Sequence, residues 1–149
     1  PGPNPVKSLE LAPAEMEKRN IHLQQKYAEI EEKEVRYEEI HCDDAEYLIV
    51  AFGSCARIAQ KAMEEARAEG IKVGLLRPIT LWPFPSKAIA ERSRQVKGIL
   101  TVELNAGQMV EDVRLAVECK VPVEYFGRLG GIVPDPDEVV TALKEKIIK

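Results

Sequence analysis

The chain has 149 residues, 45% of them hydrophobic and 31% charged, which suits one folded core and excludes intrinsic disorder, collagen and a disulfide-held miniprotein. Its net charge is −4, and residues 29–46 hold nine acids against two bases, so the basic face of a nucleic-acid binder is missing and no DNA or RNA partner is expected. The longest apolar runs, such as residues 48–52, stop far short of the ~20 residues of a membrane span, and no signal-peptide pattern opens the chain.

Residues 1–13 carry four prolines and one glycine and read as an extended linker. With no initiator Met, a piece of a longer chain is expected. Residues 14–34 contain neither Gly nor Pro and predict a long helix. Its apolar stripe, Met16, Leu23, Tyr27 and Ile30, is narrow and interrupted by Asn20, so the helix must lie on something else. Residues 35–42 alternate loosely and carry charges that suit an edge strand. Asp43 and Asp44 make a turn, and the acidic run as a whole reads as a solvated helix end and turn.

From there the pattern becomes regular. Residues 47–52 (YLIVAF) are a continuous apolar run, as in a strand covered on both faces. Gly53 and Ser54 end it, with Ser54 read as a helix cap. The helix that follows turns Cys55, Ala59, Ala62, Met63 and Ala66 inward and stops at Gly70. Residues 71–76 are the next strand. Residues 78–85 (PITLWPFP) hold three prolines and fit neither a helix nor a central strand. Ser86 caps a helix to about residue 96, and Gly98 opens a strand at 99–104. Asn105 and Gln108 fit an N-cap and N3 pair, before a helix with Met109, Val110, Val113, Ala116 and Val117 on one face. A strand at 122–126 is followed by Asp135, Pro136 and Glu138, a second cap signature. The last helix buries Val139, Val140, Leu143 and Ile147. Strand–helix alternation over 47–149 predicts a parallel sheet covered on both faces.

In such sheets ligands sit beyond the carboxyl ends of the strands. The polar punctuation falls there: Gly53, Ser54 and Arg57 after the first parallel strand, Arg77 after the second, Asn105, Gly107 and Gln108 after the third, Arg128 after the fourth. Two helix N-termini, near Ser54 and Gln108, aim N–H groups at this edge and suit an anion. The arginines equally fit local pairing, with Glu103 for instance. Trp82 and Phe84 read as an interface plug or a satellite core. Two histidines cannot build a Ser-His-Asp triad or a His-based metal site. Cys42, Cys55 and Cys119 are too widely spaced for a zinc site or an iron–sulfur cluster and point to a reducing compartment. No G-x-G-x-x-G, P-loop or Gly-Asp-Gly diphosphate motif appears. Spacing alone stops at an α/β domain with a polar, partly cationic crevice and no complete active site.

Four segments carry a resemblance: YLIVAFGSCARIAQKA at 47–62, GIKVGLLRPITLWPFP at 70–85, VELNAGQMVEDVRLAV at 102–117 and FGRLGG at 126–131. They resemble the C-terminal, transketolase C-terminal-like domain of the alpha subunit of 2-oxoacid:ferredoxin oxidoreductases, most closely the 2-ketoisovalerate (3-methyl-2-oxobutanoate) and 2-oxoglutarate enzymes. MEKRNIHLQQKY at 16–27 resembles the helix linking that domain to a pyrimidine-binding domain. The resemblance implies a three-layer α/β/α sandwich on a five-stranded, mostly parallel sheet with one antiparallel edge strand, at 35–42. It divides the chain into a linker with a long helix, 1–34, and the α/β domain, 35–149.

It also implies a cytoplasmic complex of several subunits, with beta, gamma and delta partners. That complex uses thiamin diphosphate, coenzyme A and iron–sulfur clusters to decarboxylate a 2-oxoacid oxidatively and pass electrons to ferredoxin. On this reading the chain is an accessory domain with no catalytic or metal-binding residue, and it binds none of these cofactors itself. Two other readings stay open here: a free-standing regulatory module that binds small anions, and the equivalent domain of a branched-chain 2-oxoacid dehydrogenase E1 beta chain.

Overall fold

The computed structural model describes residues 2–3 and 9–148; the expected extended linker lies partly outside the described residues. The chain divides into two compact units, residues 1–34 and 35–149. The first is dominated by one helix, α1 (Pro13–Lys33), with Pro13 in the first turn, where its missing N–H costs nothing. No residue of α1 is fully buried.

The second unit is a five-stranded sheet between two layers of helices. In chain order it holds β1 (Tyr37–Ile40), β2 (Tyr47–Ala51), α2 (Gly53–Ala68), β3 (Val73–Pro78), α3 (Ser86–Arg92), β4 (Ile99–Glu103), α4 (Met109–Val117), β5 (Val123–Gly127) and α5 (Pro136–Leu143), which runs into a π-helical turn, Lys144–Ile148. The strand order is β1-β3-β2-β4-β5. β1 pairs antiparallel with β3, and every other pairing is parallel. The expected antiparallel edge strand is found, and β2 lies next to β4.

The two-residue period of a strand sorts β2 between two cores. Ile49 and Ala51 pack with Leu75, Leu100 and Val102 under Ala59, Met63 and Ala66 of α2 and Val139 and Leu143 of α5. Leu48 and Val50 pack on the other face with Leu76 and Ile99 under Ile89 of α3 and Met109, Val113 and Val117 of α4. This is why residues 47–52 read as one unbroken apolar run.

Several boundaries move, each for a local reason. β3 starts two residues late because Gly70 and Ile71 bond back to Arg67 and Ala66 and complete the end of α2. It also runs through Pro78, which pairs with Tyr37 beyond the last β2 partner, Leu76. A proline is tolerated where one side of the strand is open. Ser86 is the first residue of α3, not its cap, and Ser54 is the second residue of α2, whose N-cap is Phe52. α3 stops at Arg92; Ser93 is buried and donates from Oγ to the Ala90 carbonyl at 2.8 Å.

The acidic run is not simply solvated. Glu38 pairs with Arg77 at 2.9 Å, Asp44 with Arg67 at 2.6 Å and Glu46 with Lys97 at 2.5 Å. Arg92 holds Glu39 through two bonds, 2.9 and 2.7 Å, and also reaches Asp43 at 3.1 Å. Bases from later in the chain thereby fasten β1 and the turn after it to α2, β3 and α3.

Candidate functional site

The carboxyl edge of the sheet is organised around a buried acid. Glu103, the last residue of β4, is 0% exposed. Its carboxylate accepts hydrogen bonds from the backbone N–H groups of Gln108 at 3.2 Å, Met109 at 2.8 Å and Val110 at 3.0 Å. Those are orphan donors at the start of α4, so an internal anion occupies the positive end of the helix. An external anion expected there meets groups already bonded to Glu103.

The rest of the 104–108 loop closes on itself. The Asn105 side-chain oxygen accepts the Gly107 N–H at 2.8 Å. The Asn105 carbonyl accepts the Tyr125 hydroxyl from β5. Gly107 sits at φ +97°, and a side chain there would press on Val110 and the Tyr125 ring. Asn105 and Gln108 are therefore not the expected N-cap and N3 pair: Gln108 is itself the N-cap and makes no side-chain cap bond. An acid at the end of an apolar strand, five to seven residues ahead of a helix start, was the signal available for this arrangement.

β2 lies beside β4, so Gly53 and Ser54 start α2 at the adjacent strand end. Gly53 has φ +56°. Burial, and then the Glu103 charge, push the Cys55 thiol above its ordinary range; the same two causes raise the Tyr125 hydroxyl. Arg57 is exposed on α2. The other expected cations turn elsewhere. Arg77 bonds Glu38, its register partner on β1, and Arg128 bonds Glu138 in the first turn of α5. Neither side chain pairs with Glu103, although the Arg128 backbone N–H donates to the Glu103 carbonyl at 3.3 Å. Asp135 and Glu138 do form the expected capping box, with the Asp135 N–H bonded to Glu138 Oε2 at 3.1 Å.

Trp82 and Phe84 part company. Phe84 is half-buried against the core under α3 and α4. Trp82 is 55% exposed. Its loop is stapled to residue 36: Thr80 Oγ1 accepts the Arg36 N–H at 3.0 Å and donates to the Pro83 carbonyl at 2.8 Å. Large exposed apolar side chains follow three of the four parallel strands. Ile79 and Leu81 accompany Trp82 after β3, Leu104 follows β4, and Leu129, Ile132 and Val133 follow β5. This apolar rim is the feature that motif reading missed, because its members come from three separate loops and only the strand order brings those loops to one edge.

The thiols do not suit a cluster. Cys42 donates to the Leu75 carbonyl at 3.4 Å, Cys55 is buried in the first turn of α2, and Cys119 is exposed beyond α4. Among the described residues no group of three or more His, Cys, Asp and Glu is placed to hold a metal ion, and no helix is long and apolar enough to cross a membrane. A diphosphate would find the α4 N–H groups already bonded to Glu103. Among the described residues, then, the thiols are not gathered as an iron–sulfur cluster needs, and the N–H groups at the start of α4 are taken by Glu103.

Residues 45–139 match the family model described as pyruvate:ferredoxin oxidoreductase core domain II. The chain is 49% identical over 142 residues to the ketoisovalerate oxidoreductase subunit VorB of Methanothermobacter thermautotrophicus, a match that covers 95% of this chain and 40% of that protein. The fold is similar to that of a 2-oxoglutarate:ferredoxin oxidoreductase from Magnetococcus marinus solved with 2-oxoglutarate, coenzyme A and succinyl-CoA. The TM-score there is 0.78 at 25% identity, over 92% of this chain and 24% of that one. A split-gene transketolase, an inactive β4 tetramer, shares the fold with TM-score 0.66 at 22% identity, over 76% of this chain and 41% of that one. The chain belongs to the core domain II family of the pyruvate:ferredoxin oxidoreductases, and it spans about 40% of the length of its ketoisovalerate oxidoreductase relative.

Proposed function

We propose that this chain is the accessory, assembly-organising domain of a cytoplasmic thiamin-diphosphate-dependent 2-oxoacid:ferredoxin oxidoreductase. The complex would decarboxylate a 2-oxoacid oxidatively to its acyl-CoA, and the likeness to a ketoisovalerate subunit supports a branched substrate. Thiamin diphosphate and the iron–sulfur clusters would be held by other parts: a pyrimidine-binding domain of the same subunit and the beta, gamma and delta subunits, with ferredoxin as electron acceptor.

The observation that carries this reading is the state of the carboxyl edge. Where an α/β sheet ordinarily takes a ligand, the α4 terminus is sealed by Glu103 and the rim is apolar. A sealed edge with exposed Trp, Leu, Ile and Val side chains suits protein contact better than a small polar ligand. It speaks against the free-standing anion-binding module.

The test is reconstitution in trans. The remainder of the subunit and its partner subunits are mixed with thiamin diphosphate, coenzyme A, 2-ketoisovalerate and a viologen acceptor, with and without this chain. Turnover is expected only when the chain is added to the rest, and none from the chain alone. Turnover by the chain alone, or equal turnover without it, would overturn the proposal.

A further inference from the structure

We infer that α1 is one strand of a short parallel two-stranded coiled coil and that its partner is the same helix of a second copy of this chain. Met16, Asn20, Leu23, Tyr27 and Ile30 follow one another at intervals of 4, 3, 4 and 3 residues along α1. That is the d-a-d-a-d spacing of a heptad seam. The d residues Met16, Leu23 and Ile30 are the half-buried positions of the helix, and no α1 residue is fully buried. A seam two residues wide per turn is too narrow to found a globular core but matches what one partner helix covers. Ile21 stands off the seam, at b.

Charge selects the occupant. With Met16 at d, the g positions are Arg19 and Lys26 and the e positions are Glu17, Gln24 and Glu31. In a parallel in-register pair each g residue faces the e residue five further on in the other helix. Lys26 then meets Glu31 of the second copy, twice by symmetry, and Arg19 meets Gln24. An antiparallel pair would set g against g and e against e, base against base and acid against acid. One chain thus carries both halves of the complementarity, as an isologous contact requires. Asn20 at an a position adds the same preference, since Asn pairs across a two-stranded seam and fixes its register at a cost in stability. The helix is 21 residues long, about three heptads, so the association is weak and depends on concentration.

Sedimentation equilibrium of the whole chain, from about 10 µM to 1 mM, reads the proposal; helix content by circular dichroism accompanies each variant. The wild-type chain should form a reversible dimer. Leu23→Asp should weaken it about tenfold or more, and Asn20→Leu should tighten it by a similar factor, a gain that misfolding cannot produce. Lys26→Glu should weaken the dimer about fivefold, and adding Glu31→Lys should restore it. A monomer at every concentration with α1 intact would overturn the inference. So would a dimer indifferent to Leu23→Asp, or one strengthened by Lys26→Glu, the sign an antiparallel pair would give. A monomer would leave the proposed assembly role of residues 35–149 standing, because the rim plays no part in this seam.

Discussion

The Glu103 carboxylate lies 2.8 Å from the Met109 backbone nitrogen and ties the end of β4 to the start of α4 across a five-residue loop. The bond is charge-assisted and fully buried, where removing an acceptor leaves N–H groups unpaired at a cost of about 1–3 kcal/mol. Glu103→Gln keeps the shape, loses the charge and presents an NH2 donor to donors. It should lower stability by about 2 kcal/mol, read from the urea midpoint at constant slope. A loss below about 0.5 kcal/mol would mean that the carboxylate does not hold the helix.

Close backbone approach makes a second prediction. A Cβ on Gly74 would stand 2.9 Å from the His41 carbonyl oxygen, 3.0 Å from Cys42 Cα and 3.1 Å from Ala45 Cβ. None of these belongs to a flexible side chain. Gly74→Ala should therefore cost about 1–3 kcal/mol by overpacking and lower the thermal midpoint, even though Gly74 lies in a strand. A neutral outcome would place the 41–45 turn farther from β3 than described.

The cysteines should separate by reactivity and by pH. Burial, then the nearby Glu39 carboxylate, pushes the Cys42 thiol up to about 11 from an ordinary 9.0; burial also raises Cys55. Cys119 is exposed. At pH 8 a thiol reagent should modify Cys119 first, while Cys42 and Cys55 react only after unfolding, since the thiolate is the nucleophile. Because the folded state holds the Cys42 proton more tightly than the unfolded state, this group's contribution to stability is complete below about pH 9. It is lost as the pH rises toward 11. A Cys42→Ala chain should lose less stability than the wild type over that window. Rapid modification of all three thiols in the folded chain would contradict the burial.

Much of this architecture is legible in the residues. The run at 47–52 is apolar on both faces because β2 is central and touches both cores, and Asp135-Pro136-Asp137-Glu138 marks the start of α5 by cap chemistry alone. What escaped reading depends on partners distant in sequence. Pro78 joins β3 only because β1 supplies its neighbour, and Ser54 and Asn105 carry cap chemistry that Phe52 and Glu103 displace. Arg77 and Arg128 read as crevice cations until Glu38 and Glu138 come within bonding range. The resemblance identified the family, while the apolar rim needed the strand order.

The most direct measurement takes Trp82→Ala in the subunit and records two quantities, the thermal midpoint of the chain and the affinity of the subunit for its partner subunits. Trp82 is 55% exposed on a loop held by Thr80 and Arg36, so truncation removes little core. Buried aromatic anchors at interfaces are worth about 2 kcal/mol or more. The account predicts a midpoint nearly unchanged and an affinity weakened about thirtyfold. A stability loss of about 3–5 kcal/mol, as for a core aromatic, with unchanged assembly would contradict it.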